Sequence, residues 1–184
     1  MKKKFNPRIK ARLRKNRQVL NKNIDNFFGW VKGAKLVELK ECNIEEDPVR
    51  PELDNNFRTG YGRKIYGVEY LGEIHAVMCF AYTNKVPKRV DELEKLSTDA
   101  FLQTAMRDQS GGQIAIAYTV WSKKKGGGKL IVKEVFKKIK KSNHLNRLVT
   151  LSPLTDMATK FHERNGAKLI QINETTQNFE YKVL

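Results

Sequence analysis

Three lysines followed by three glycines, Lys123-Lys124-Lys125-Gly126-Gly127-Gly128, stand between an apolar stretch and a helical one. These residue types suit an anion: glycines let the main chain approach closely, and the unpaired amides of a first helical turn point outward with the helix dipole behind them. The run is not a P-loop, because no Gly-Lys-Ser/Thr follows at the required spacing. It is not a dinucleotide fingerprint either, having a single short glycine cluster. A hinge or a close packing point is the other reading of three glycines. Downstream lie Ser152 and, ten residues on in a helical stretch, His162. An imidazole titrating near neutrality can pass a proton, although a helix-face histidine with a structural hydrogen bond has the same signature. Ser152 could bind a developing charge or cap the next helix, a task for which Thr155 is better placed. No general base is identified: Glu69, Glu73 and His75 are possible, Tyr118 could line a cleft, and a chain of waters could do the base's work.

The elements that must position these groups alternate along the chain. Residues 35–42 read as a strand, 43–62 as mostly loop with Pro48 and Pro51, and 64–71 with 74–83 as a hairpin through Gly72-Glu73. A helix over 91–106 ends at Ser110-Gly111-Gly112. Strand 113–121, helix 129–142, strand 147–151, helix 155–165 and strands 167–172 and 179–183 follow. This is βαβ rhythm with right-handed crossovers, and it predicts an α/β fold with a mixed central sheet of about six to seven strands flanked by helices.

The stretch from Tyr118 to Ile131 resembles the acyl-CoA loop of the GNAT acyltransferase superfamily, Gln/Arg-x-x-Gly-x-Gly/Ala. Lys123 stands at the Gln/Arg position, and Gly126 and Gly128 match the small ones. The segment from Thr155 to Ala167 resembles the family's second signature, with Ala158, Phe161 and Gly166 matching and His162 replacing a tyrosine. The resemblance covers residues 35–184, with a long insertion between the third and fourth strands. It implies a donor, acetyl-CoA, whose pantetheine arm pairs with the backbone around Val120 and Ser122. Its pyrophosphate would be held by amides of Lys125, Gly126, Gly127, Gly128 and Lys129 beside Lys123. It also implies His162 and Ser152 as the groups nearest the chemistry. A weaker similarity links Leu151-Ser152-Pro153 to malonyl-CoA decarboxylases, whose catalytic domain shares the GNAT architecture and pairs that serine with a distant histidine. No partner histidine is evident here, so this similarity is read as kinship of fold.

The 184 residues carry 36 Lys+Arg against 20 Asp+Glu, a net charge of +16. Ten of these cations and no acid fall in the first 22 residues. With Ile9, Leu13, Leu20, Ile24, Phe27 and Phe28 at helical steps, residues 7–32 predict a basic amphipathic helix. The expected division is an arm over 1–32 and a GNAT-like domain over 33–184. The arm suits nucleic acid, an acidic partner or an acidic membrane surface; a solvated tail is the alternative. No apolar stretch approaches the roughly 20 residues that span a bilayer, no secretory h-region is present, and Cys42 and Cys79 form no metal spacing, which fits a reducing cytoplasm. The leading expectation is an N-acetyltransferase acting on an amine. A nucleic-acid base-modifying protein like the phage Mom proteins, or a non-catalytic phage or nucleic-acid-associated binding protein that keeps the fold, are the alternatives. Deleting residues 1–22 is expected to flatten the salt dependence of any nucleic-acid binding, read from affinities across a salt series; an unaltered slope means that the arm is not the contact.

Overall fold

Apolar residues on both faces of segments 64–83 and 114–122 demand a sheet covered on each side, and the computed structural model provides one. It describes residues 12, 14–19, 29–30, 32–107 and 112–181, the side chains of 105–107 excepted. The chain falls into two units, residues 1–34 and 35–184. In the first, Arg12 and residues 14–19, 29–30 and 32–33 are helical. Most of the helix expected over 7–32, its apolar stripe included, lies outside the described residues.

The second unit runs β1 (Lys35–Leu39), a 3-10 turn (Ile44–Glu46), α1 (Asn55–Thr59), a second 3-10 turn (Gly60–Gly62), β2 (Lys64–Tyr70), β3 (Glu73–Thr83), α2 (Val90–Arg107) and β4 (Ile114–Ser122). It continues with α3 (Gly127–Lys140), β5 (Arg147–Thr150), β6 (Ser152–Pro153), α4 (Asp156–Arg164), β7 (Ala167–Ile172) and β8 (Thr176–Tyr181). The sheet has eight strands in the order β1-β2-β3-β4-β5-β8-β6, with β7 on β8. It is larger than expected by β6, whose two residues are too few to show a period. Among the described residues only β4 and β5 pair in parallel; the later strand–helix rhythm leads instead into the antiparallel β7–β8 pair. Among the described residues no helix is long and apolar enough to cross a membrane.

One face of the sheet sends Ile65, Cys79, Ile116, Tyr118 and Val149 into a core with Leu93 of α2. On α3, Leu130, Ile131, Val132, Val135 and Ile139 are buried at helical spacing, and this helix packs on β3 and β4. The segment expected to be loop, between β1 and β2, is a strap drawn into the core. Asp47, Arg50, Arg58 and Arg63 are all buried. Arg58 Nη2 lies 2.9 Å from Asp47 Oδ2, both side chains being fully enclosed. Nη2 also donates to the carbonyl of Arg50 (2.8 Å), Nε to that of Leu53 (2.8 Å) and Nη1 to Cys79 Sγ (3.4 Å). Asp47 in turn accepts the amides of Val49 and Arg50 and the hydroxyl of Thr119 on β4. Inside, Asp47 neutralises Arg58, while Arg50 and Arg63 spend their donors on main-chain carbonyls and on Ser97.

Removing one partner of such a pair leaves the other charge buried and unpaired. Arg58→Met is expected to cost about 3–5 kcal/mol in urea denaturation. Adding Asp47→Asn should recover part of that loss, the signature of a coupled pair.

Candidate functional site

β4 and β5 pair from Ile114 opposite Arg147 to Ala117 opposite Thr150, and the Leu151 amide donates to Ala117 O at 2.9 Å. There the two strands part. β4 continues alongside β3 as far as Ser122, opposite Ala76, whereas the chain after Leu151 turns to β8, with Ser152 opposite Gln177. A β-bulge marks the divergence: Phe80 faces Ala117 and Cys79 faces Thr119, leaving Tyr118 as the extra residue. Between the parted strands opens a cavity of about 630 Å³. Its walls are largely apolar, with Met78, Val132, Leu148 and Phe161 on one side and Pro48, Val49 and Trp121 on another. Arg50 sits at the fork: Nε donates to Tyr118 O (3.0 Å) and Nη2 to Leu151 O (3.2 Å).

At one end of the cavity the glycine run enters α3. The Lys123 amide donates to His75 O and the Gly127 amide to Lys124 O, while Leu130 N–H returns to Gly126 O. Gly126 precedes the helix at φ +85°, a conformation that needs no Cβ, and no side chain caps the turn. The first-turn amides of Gly128 and Lys129 therefore lack intrahelical acceptors. Gly127 and Gly128 also serve packing. A Cβ on Gly127 would lie 3.0 Å from Ser122 Cβ, and one on Gly128 would lie 3.0 Å from the Phe161 ring of α4. The packing reading thus applies at Gly127 and Gly128.

At the other end Ser152 Oγ lies 2.8 Å from His162 Nε2 and 3.0 Å from Thr150 Oγ1, and His162 Nδ1 lies 2.9 Å from Tyr181 Oη. Thr155, not Ser152, caps α4, accepting the Ala158 amide. His162 is buried, stacked on Phe179 with centroids 5.0 Å apart. That burial lowers its pKa to about 4. A neutral imidazole offers one donor and one acceptor, so Ser152–His162–Tyr181 is a relay whose polarity reverses with the tautomer.

Val120, Ser122, Lys123, Gly128, Ser152 and His162 all line the cavity. Lys129 lines a neighbouring cleft of about 750 Å³ with Lys160 and Arg164. Lys125 and Gly126 are exposed on the turn. Tyr118 forms wall, buried in the core. Glu69, Glu73 and His75 belong to the β2–β3 hairpin and do not line the cavity. Sequence reasoning found no partner for Ser152; the structure supplies His162, brought back by the turn into α4. It also missed Tyr181, Arg50 and Glu46. Glu46 lines the cavity and pairs with Lys123 at 2.7 Å. The only signal for Tyr181 was its alternation with Phe179 along the last strand.

No family model and no curated protein matches the sequence. Among solved structures, the fold is similar to that of GphF, a GNAT-like decarboxylase in complex with isobutyryl-CoA (TM-score 0.63, 10% identity, 82% of this chain and 100% of that one). It is similar also to the loading GNATL domain of CurA from Lyngbya majuscula (0.56, 13%, 81% and 97%). A Bacillus subtilis acetyltransferase in complex with CoA is a third (0.55, 13%, 82% and 99%). The fold is GNAT-like, as the sequence resemblance implied.

Because the His162 pKa is lower in the folded than in the unfolded chain, the unfolded state takes up a proton first as pH falls. The stabilisation is complete above about pH 6.5 and is lost progressively down to pH 4, on the order of 3 kcal/mol in all. His162→Gln is expected to remove this slope from denaturation curves recorded between pH 4 and 7.

Proposed function

We propose that the protein is an acyl-CoA-dependent enzyme that works on the thioester at the Ser152 end of the fork. The observation that carries this reading is the cavity itself. It runs from the unpaired amides at the start of α3 to the Ser152–His162–Tyr181 relay, along a β4 edge that β5 has left. A diphosphate fits the α3 end, where amides and Lys123 converge. An extended pantetheine chain fits the free edge of β4 near Val120 and Ser122, pairing as an added strand would. Lys129, Lys160 and Arg164 in the adjoining cleft suit the remaining phosphate.

At the reacting end, loss of CO2 from a malonyl-type acyl-CoA is the chemistry that asks least beyond what these residues offer. The bond between the carboxylate carbon and the α-carbon breaks, CO2 departs, and the electron pair passes into an enolate on the thioester oxygen. Ser152 O–H is the donor that meets this oxygen, and the relay returns a proton to the α-carbon, replenished from solvent. The largely apolar walls disfavour the substrate carboxylate more than the neutral CO2. An imidazole with a pKa of about 4 suits hydrogen-bond work rather than deprotonating an ammonium.

Acyl transfer to an amine, the activity expected from the sequence, is the second reading. Glu46 favours it: this carboxylate lines the cavity and could take the amine's proton, leaving the relay to protonate the departing thiolate. The acyl group then passes from sulfur to nitrogen with no net redox change.

Calorimetry with acetyl-CoA tests the shared premise, and no binding at millimolar ligand removes both readings. Incubation with malonyl-CoA, followed by mass spectrometry, is expected to yield acetyl-CoA and CO2. Ser152→Ala should lower that rate roughly 10²–10³-fold, the usual cost of one lost oxyanion donor. Turnover of acetyl-CoA only when an amine is added, with malonyl-CoA left intact, would establish the second reading instead.

A further inference from the structure

The strap contributes one group whose position neither packing nor the relay accounts for. Arg50 is buried, at 8% exposure, and its guanidinium is aimed at the place where β4 and β5 part. Two of its nitrogens take one carbonyl from each bank of the fork, Tyr118 O and Leu151 O, immediately beyond the last rung made by the Leu151 amide and Ala117 O. Buried carbonyls that have lost their ladder partners must find donors elsewhere. A planar guanidinium can serve both at a fixed spacing, which an ammonium cannot. The main chain that carries it is held in turn, since the Arg50 amide donates to Asp47 Oδ1 and Arg58 Nη2 donates to Arg50 O. One of the two peptides it clamps leads into Thr119 and Val120, the edge read above as the pantetheine track. The other leads directly into Ser152.

We propose that Arg50 is a positioning residue: it gauges the width of the fork and thereby sets the thioester against Ser152. This rests on the acyl-CoA reading for its consequence, though not for the fork itself. Without the guanidinium the two banks lose their common donor, the last rung frays, and the track and the serine no longer keep one spacing.

The test uses Arg50→Ala and Arg50→Lys, with Arg63→Met as the control. Arg63 is another buried arginine of the strap, whose hydrogen bonds go to Phe57 and Ser97 rather than to the fork. In ligand-free protein the Leu151 amide is expected to exchange at least tenfold faster in both Arg50 variants, beyond any change explained by global stability. Affinity for acetyl-CoA by calorimetry should fall at least tenfold in the same two variants. Low-millimolar guanidinium should restore both properties to Arg50→Ala, which a loss of general stability would not allow. Unchanged Leu151 protection, equal losses in Arg63→Met, or failure of guanidinium to restore the alanine variant would each overturn the proposal. If wild-type protein takes up no acetyl-CoA, the functional reading fails, and Leu151 exchange alone decides the role of Arg50.

Discussion

Everything in this domain that resembles a site depends on two parallel strands ceasing to hydrogen-bond after four residue pairs. Parallel ladders are normally continuous because each unpaired main-chain group in a protein interior costs free energy. Here the Ala117–Thr150 rung is the last, and the interruption is tolerated because the groups nearest to it are served by something else. The Tyr118 bulge turns β4 away while preserving its pairing with β3. β8 receives the other bank at Ser152, and a guanidinium covers the two carbonyls nearest the divergence. The opening is therefore a built feature of the sheet.

The environment of His162 follows from the same geometry. Where the strands part, α4 packs back with Phe161 against Gly128, and the histidine that follows is pressed between aromatic rings. Burial keeps the imidazole neutral, so its two nitrogens link a serine and a tyrosine without bringing a charge into an apolar chamber. Of the residues that line the cavity, Lys123 and Glu46 carry full charges, and they pair with each other.

Much of the architecture was legible from residue order, because long periodic segments identify themselves. The apolar run that became β4 and the spacing of Leu130, Ile131, Val135 and Ile139 on α3 left little choice. The glycine turn between them was legible as a place where main chain must come close. The strap was not, since Asp47 and Arg58 look like any solvated acid and base until the fold shows them enclosed together. Nor was the pairing of Ser152 with His162: ten residues carry no period for a turn followed by a short helix, and it is the turn into α4 that brings the two within 2.8 Å. Glu46 was hidden for the same reason as the strap that carries it.

The bonds that secure the divergence of the strands join residues 68 and 101 positions apart. Contacts of such separation form only after the intervening chain has been synthesised and has closed a long loop. During synthesis, the segment bearing Arg50 leaves the ribosome well before its second acceptor, Leu151, exists. The core of β1 to β4 can thus assemble while the chamber is still unformed, and competence to hold a ligand is acquired last, at the carboxyl-terminal end of the folding process.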